Sequence, residues 1–427
     1  MYDGIESRLI IHEILKLIRN RSNNFDETFT LYTINKNCSV QNKKFIHNAV
    51  LTTLRHKVII DKIINNIAKK IDKDDDSYLL LLSSISQILF LNIKEYAVVN
   101  STVEISKKNK IKSSPKFING CLRNFIRNKN IFLKTKVEFK DLPEWFLEKT
   151  KDLSVMEKDS LIKNIFQQPS LHIVFKETEY IKKYIKFGKV TSDKSIAIKM
   201  KYNFLDIPNF KNGEWWVQDY LSMLPLSLID IKKYKNIADV GSAPGGKLFQ
   251  LMSNHKKITA FEKNQKRNNI LLKNLNRLKF NITINVKDFL KANNEEKFDL
   301  IVLDAPCSAI GTIRRHPEIF FKKISPNFNS LIKNQYELLQ KSAKLLKNNG
   351  MIIYMVCSFL EIETTKQIDY FLQNNENFTI SGFDQNRNIL AKDFINKQGS
   401  ILSLPKTILQ DVRVDGYFAC KLIKNDN

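Results

Sequence analysis

The sequence predicts an α/β domain built on a parallel, Rossmann-like sheet, preceded by an all-α bundle and a small α+β connecting subdomain. Three observations predict it. A glycine-rich turn, Gly241-Ser242-Ala243-Pro244-Gly245-Gly246-Lys247, stands between a short apolar run, Ile237–Val240, and a helical stretch that starts at Leu248. Further short apolar runs follow, and each ends on a side chain with chemistry: Glu262, Asp288, Asp304 and Cys357. Residues up to about 135 instead repeat apolar side chains at helical spacing.

In the N-terminal third, Leu9-Ile10-Ile11, Ile14-Leu15 and Ile18 share a helical face, as do Phe45, Ala49, Leu51 and Leu54. The run from Tyr78 to Leu91 is strongly apolar. It is too short and too interrupted by serine for a membrane span, so it reads as a buried core helix. Asp141-Leu142-Pro143-Glu144-Trp145-Phe146 is a turn into a helix, because proline is tolerated in a first turn. His172–Phe175 and Ser195–Ile198 read as strands of the connecting subdomain. The expected division is residues 1–135 for the helical bundle, 136–215 for the connector and 216–427 for the sheet domain.

Glycines in the turn let backbone approach a ligand closely, and the helix start after it offers free N–H groups to an anionic one. The spacing is not the dinucleotide G-x-G-x-x-G. It approaches a P-loop, but Leu248 replaces the Mg²⁺-binding hydroxyl. Glu262, about 20 residues on, ends the next strand where an acidic side chain can bind ribose hydroxyls. Asp288 ends the strand after that and is placed for an adenine amine. Turn, Glu262, Asp288, Asp304 and Cys357 at successive strand ends fit an S-adenosylmethionine-dependent methyltransferase of class I.

Two cysteines sharpen this. Cys307 follows Phe298–Leu303 in Asp304-Ala305-Pro306-Cys307-Ser308, and Cys357 follows Gly350–Val356 in Tyr354-Met355-Val356-Cys357-Ser358. Ligands bind outside the carboxyl ends of a parallel sheet, so both thiols can meet one substrate. Cys38, Cys121 and Cys420 carry no such context and read as small buried hydrophobes.

These segments, with Gly311, Arg314-Arg315-His316-Pro317-Glu318 and Glu363, resemble the motifs of RNA cytosine-C5 methyltransferases. Within them the chain is most similar to bacterial 16S ribosomal RNA enzymes that carry an antitermination-factor-like domain at the N-terminus. Gly213–Asp219 and Asp415–Phe418 resemble the entry segment and last strand of that catalytic domain. The chain departs from the family at Gly241-Ser242, Leu248, Glu262 and Thr364. The resemblance implies S-adenosylmethionine held by Gly241 to Lys247, Glu262, Asp288 and Asp304. It implies Cys357 as nucleophile at C6 of the base, where residue order alone leaves the two cysteines equivalent. It implies Cys307 for the release step, Asp304 on the cytosine edge, and Lys247 either orienting the base or pairing with phosphate. It further implies that the N-terminal bundle binds RNA, a bundle used only for packing being the alternative. Arg314, Arg315 and His316 would pair with phosphates beside the target base, or form surface salt bridges.

Composition agrees. Lys+Arg 69 against Asp+Glu 44 gives a net charge of +25, which suits a polyanionic partner such as RNA. Lysine is abundant throughout, so the charge supports RNA binding without establishing it. Five cysteines without regular spacing argue against a disulfide framework, and no Cys/His cluster suggests a metal. No signal pattern precedes the bundle. The expectation is a cytoplasmic monomer with no membrane association. Rival readings are a methyltransferase acting on an exocyclic amine, one acting on another RNA such as tRNA, and a non-catalytic RNA-binding scaffold. Asp304-Ala305-Pro306-Cys307 disfavours the first, and the two intact cysteines disfavour the last.

Overall fold

The computed structural model describes residues 4–426 apart from 22, 70, 203, 255–256, 283, 286–287, 294 and 296. It separates into two compact units: residues 1–167 with 313–325, and residues 168–312 with 326–427.

The first unit is helical. Its centre is the helix Asp76–Phe90, where Tyr78 to Leu82 are all buried. Asp75 caps it by accepting the Ser77 N–H at 2.7 Å, which satisfies one of the free donors of a helix start. Helices Gly4–Arg21, Val40–Arg55 and Pro115–Arg127 turn their apolar faces onto it. No helix among the described residues is long and apolar enough to cross a membrane.

The boundary expected near residue 135 falls inside this unit. Helices Glu144–Lys149 and Val155–Ile165 belong to it, and Lys62 Nζ reaches Asp141 Oδ2 at 2.6 Å. A second departure is larger. Residues 313–325, drawn from the middle of the sheet domain's sequence, are part of the first unit. Phe321 is fully buried in its core, and Phe146 meets Phe320 edge-on at 5.0 Å.

The second unit holds two main sheets. The smaller has strands β1 (Leu171–Phe175), β2 (Gly188–Ser192), β3 (Ser195–Ile198) and β4 (Trp215–Val217), in the order β2-β3-β1-β4. The boundary expected at 215/216 therefore cuts a strand. The small sheet packs within the same unit as the large one, and His172 Nε2 bonds the Arg413 carbonyl at 2.9 Å.

The large sheet follows with β5 (Ile237–Val240), β6 (Ile258–Phe261), β7 (Ile284–Asn285), β8 (Phe298–Asp304), β9 (Leu346–Val356), β10 (Phe378–Ser381) and β11 (Ile401–Ser403). A ribbon of β12 (Lys406–Ile408) and β13 (Val412–Val414) leads into β14 (Tyr417–Lys424). The order is β10-β14-β9-β8-β5-β6-β7, with β11 beside β14. The core from β7 to β9 is parallel, and β14 runs antiparallel to β9. This is the Rossmann-like class I methyltransferase fold. Strand β5 and the stretches Leu300–Leu303 of β8 and Met351–Val356 of β9 are buried on both faces, as central parallel strands are, which is why they read as apolar runs, broken only by Asp239. Of the strand expected over 284–288, Val286 and Lys287 lie outside the described residues.

The sequence order reverses between β5 and β8. At such a switch point, connections leave to opposite faces and open a crevice at the carboxyl ends. Gly241 follows β5 there, and Asp304 ends β8.

Candidate active site

That crevice is a cavity of about 320 Å³, within the range of small-molecule sites. Gly241, Glu262, Asp288, Asp304, Cys307 and Cys357 all line it. Five strand ends spread over more than a hundred residues thus converge. Phe261, Phe289, Pro306 and Leu338 supply apolar wall.

The turn after β5 contributes less than expected. Among its described residues, Gly241 alone lines the cavity. Ser242 and Ala243 face the interior, and Pro244 is exposed. Gly241 has φ +81°, and a Cβ there would sit 2.6 Å from the Asp304 carbonyl, so β5 and β8 can close only around glycine. Its N–H and that of Ser242 are spent on the Phe261 carbonyl at 3.0 and 3.2 Å. The helix Gly246–Met252 does not present its start to the cavity, contrary to expectation.

Glu262 is buried. Its Oε2 accepts the Ala243 N–H at 3.3 Å and its Oε1 the Asn264 N–H at 2.9 Å, while Arg267 lies 3.5 Å away. These bonds fix the carboxylate and leave each oxygen a further lone pair. Asp288 caps the following 3₁₀ turn by accepting the Leu290 N–H at 3.1 Å and lies half-buried on the cavity wall. A floor of anchored carboxylates beside aromatic rings suits a neutral nucleoside whose hydroxyls and amine donate.

Beneath the turn, Asp239 is fully buried. Ser242 Oγ donates to its main-chain carbonyl at 2.9 Å, and neither carboxylate oxygen finds a donor among the described residues. Burial, with the charges of Asp304 and Glu262, pushes its pKa up to about 7. A cationic group entering the crevice would offset this charge. For the ligand-free protein the sign is fixed. The unfolded chain ionises near pH 4 and the folded one near 7, so stability is full at low pH and falls as pH rises between them. Asp239→Asn should flatten that slope in urea titrations from pH 4 to 8, removing up to about 4 kcal/mol of it.

Lys247 is not free to pair with phosphate. Its ammonium donates to Asp304 Oδ2 at 2.7 Å and Ser222 Oγ at 3.3 Å, and it lies 5.8 Å from the Tyr417 ring centre. Burial works against the charge, but Asp304, Tyr417 and Cys357 outweigh it and hold its pKa above the ordinary lysine value. Lys247 therefore fixes Asp304, which keeps its place on the cavity wall.

The two sulfurs, fifty residues apart in sequence, are 3.3 Å apart. The hydrogen bond with Cys357, burial, and the charges of Cys357 and Glu363 push the Cys307 thiol well up, so Cys307 is the partner that keeps its proton. Gly311 N–H donates to the Cys357 carbonyl at 3.0 Å, and Gly416 N–H to the Gly311 carbonyl at 2.8 Å. A Cβ on Gly311 would lie 2.0 Å from the Gly416 carbonyl, so only glycine lets these loops lace together. Cys38, Cys121 and Cys420 are buried away from the site, as expected.

Arg314 departs from expectation. It is fully buried in the first unit, where its carbonyl accepts from Arg55 at 3.3 Å, so it serves that core rather than a phosphate or a surface pair. Two residues escaped sequence reasoning. Glu363, quoted only as part of a motif, gathers both cysteine loops, and Gln335 of the helix Phe328–Leu345 joins it. The serine after each cysteine was the available signal.

Known proteins resemble this chain over most of its length. Residues 226–423 match the family model described as 16S rRNA methyltransferase RsmB/F, and residues 5–127 match that of the NusB family. A probable ribosomal RNA small subunit methyltransferase B from Coxiella burnetii is 27% identical, over 82% of this chain and 89% of its own length. A ribosomal RNA small subunit methyltransferase B from Proteus mirabilis is 28% identical, over 80% and 86%. Among solved structures, PH0851 shares the fold with a TM-score of 0.70 at 20% identity, covering 99% of this chain and 100% of that one. The chain thus combines a segment, residues 226–423, that matches the 16S rRNA methyltransferase RsmB/F family with one, residues 5–127, that matches the NusB family.

Proposed function

We propose that this protein methylates C5 of a cytosine in 16S ribosomal RNA through a covalent bond between Cys357 and C6 of the base. The observation that carries the reading is the pair of sulfurs 3.3 Å apart on the wall of a cavity that also presents Glu262, Asp288 and Asp304. S-adenosylmethionine, held by Gly241, Glu262 and Asp288, supplies an electrophilic methyl group.

C5 of cytosine is a weak nucleophile. The Cys357 thiolate adds to C6, the ring becomes an enamine, and C5 takes the methyl group. The Asp304 carboxylate, steadied by Lys247, accepts from the exocyclic amine, and the Lys247 ammonium beside it offsets the negative charge that builds on the ring. The C5 proton must then leave so that the C6–S bond can break. Cys307 is placed to take it. The hydrogen bond with Cys357 is the largest of the effects that hold the Cys307 proton in place. Bonding of Cys357 to C6 removes that hydrogen bond, so the Cys307 thiol gives up its own proton to solvent and, as thiolate, takes the C5 proton. Elimination then returns Cys357 as thiolate. Dividing one hard step in this way is covalent catalysis.

The helical bundle adds RNA-binding surface, the chain acts as a monomer, and it works where ribosomal RNA is made, in the cytoplasm. A base inside duplex RNA is out of reach, so the target lies in a loop or is flipped out.

Bisulfite mapping of 16S RNA incubated with and without the protein and S-adenosylmethionine tests this. One cytosine should become resistant. Methyl incorporation without any resistant cytosine would instead point to a different atom. In calorimetry, Gly241→Ala should weaken S-adenosylmethionine binding at least about tenfold, since its Cβ must displace the Asp304 strand end.

A further inference from the structure

We propose that Glu363 is a positioning residue whose single carboxylate places both cysteine loops and thereby sets the approach of the two sulfurs. The inference rests on the reading that Cys357 and Cys307 act on one base, and it assigns how the pair is held.

Glu363 is fully buried at the end of a short 3₁₀ turn, Glu361–Glu363. Four donors converge on it. Oε1 accepts the Ser308 N–H at 2.8 Å and Gln335 Nε2 at 3.1 Å. Oε2 accepts the hydroxyls of Ser308 at 2.5 Å and Ser358 at 2.6 Å. Ser308 follows Cys307 and Ser358 follows Cys357, so one carboxylate grips the residue next to each sulfur. Each serine oxygen also accepts a main-chain N–H of its own loop, Ile310 at 3.4 Å and Leu360 at 3.2 Å. Gln335 braces the assembly by donating to the Pro306 carbonyl at 2.9 Å, just before Cys307. Tyr354 of β9, three residues before Cys357, donates its hydroxyl to the Glu363 carbonyl at 2.9 Å.

Charge is part of the arrangement. All four donors are neutral, so the carboxylate's field reaches its neighbours, and it adds to the effects that hold the proton on Cys307. Among the described residues Cys357 and the buried Tyr354 also bear on Cys307, and Asp304, Glu262 and Asp288 line the same cavity. A glutamine cannot substitute. It removes the charge, and with its NH₂ turned toward the serines both hydroxyls must reverse from donor to acceptor. An aspartate keeps the charge but falls one methylene short.

The test uses the full-length chain with Glu363→Gln and Glu363→Asp. Iodoacetamide labelling across pH 6–10, read cysteine by cysteine by mass spectrometry, follows each thiol. Single-turnover methylation of 16S RNA follows the chemistry. With Gln, Cys307 should label at a lower pH than in the parent, and methylation should slow at least tenfold. With Asp, the Cys307 midpoint should return toward the parent value while the rate stays low. A folded Gln variant with the parent's rate and midpoint overturns the proposal. Should the Gln variant not fold, Ser308→Ala and Ser358→Ala take its place. Loss of the first grip should build up protein–RNA adduct, and loss of the second should slow adduct formation. Parent-like behaviour from both would equally overturn it. A Cys357→Ala protein that still methylates would refute the covalent reading itself. The labelling midpoints stand apart from that result, so the two failures are distinguishable.

Discussion

Replacing Cys307 with alanine should leave the protein covalently attached to its RNA. On a denaturing gel with labelled RNA, Cys307→Ala should give a retarded protein–RNA band that persists in sodium dodecyl sulfate, and little free methylated product. Cys357→Ala should give no such band and should lower turnover by on the order of 10⁴-fold or more, the scale expected when a covalent nucleophile is deleted. The asymmetry follows from the site. Both sulfurs are on the cavity wall and within 3.3 Å of each other, yet the hydrogen bond with Cys357, burial and nearby charge keep the proton on Cys307. The sulfur that retains its proton is the poorer nucleophile. Once Cys357 has bonded, the missing base at 307 blocks only the exit. An adduct from Cys357→Ala, with none from Cys307→Ala, would reverse the roles.

The second large effect lies far from the chemistry. Phe321→Ala should destabilise the helical unit by about 3–5 kcal/mol, the usual cost of emptying a buried phenylalanine site. Phe321 is fully buried among the side chains of the helical core, although its sequence neighbours before Ile313 and after Ser325 belong to the other unit. Truncation should be worse. A chain begun at residue 168 keeps Ile313, Phe320 and Phe321 but loses the helices that cover them. Exposing three such side chains forfeits roughly 5–8 kcal/mol, comparable with the net stability of a domain. The fragment should aggregate on size-exclusion chromatography, and Phe320→Ser with Phe321→Ser should recover it. A monodisperse fragment without those changes would show that the segment finds other cover.

What the sequence made legible follows from the range of the interactions. Strand β5, Leu300–Leu303 of β8 and Met351–Val356 of β9 are buried on both faces, so each is a local apolar run, and the chemistry after each run could be read one strand at a time. Cys307 and Cys357 emerged in that way. The parallel order of the sheet then brought them together. Glu363 did not emerge, because a carboxylate six residues after a cysteine reads as an exposed turn until the four donors from three segments are known. In the sequence Lys247 stands between orienting the base and pairing with phosphate, because the reach of a lysine to Asp304, fifty-seven positions on, has no local signature. Arg314 misled for the opposite reason, and Phe321 lies in the same segment. A short segment rich in Arg, Lys and Pro looks solvated, and its burial depends wholly on helices built from the first third of the chain.

The excursion of residues 313–325 also has a consequence for biogenesis. When residue 167 has left the ribosome, every α-helix of the first unit has been synthesised, but the place of Phe321 in its core is vacant. About 150 more residues must be translated before it is filled, a wait of roughly 10–30 s at ordinary elongation speeds. Through that interval the nascent helices hold an open apolar notch, and the two halves of the enzyme complete their folding together rather than in turn.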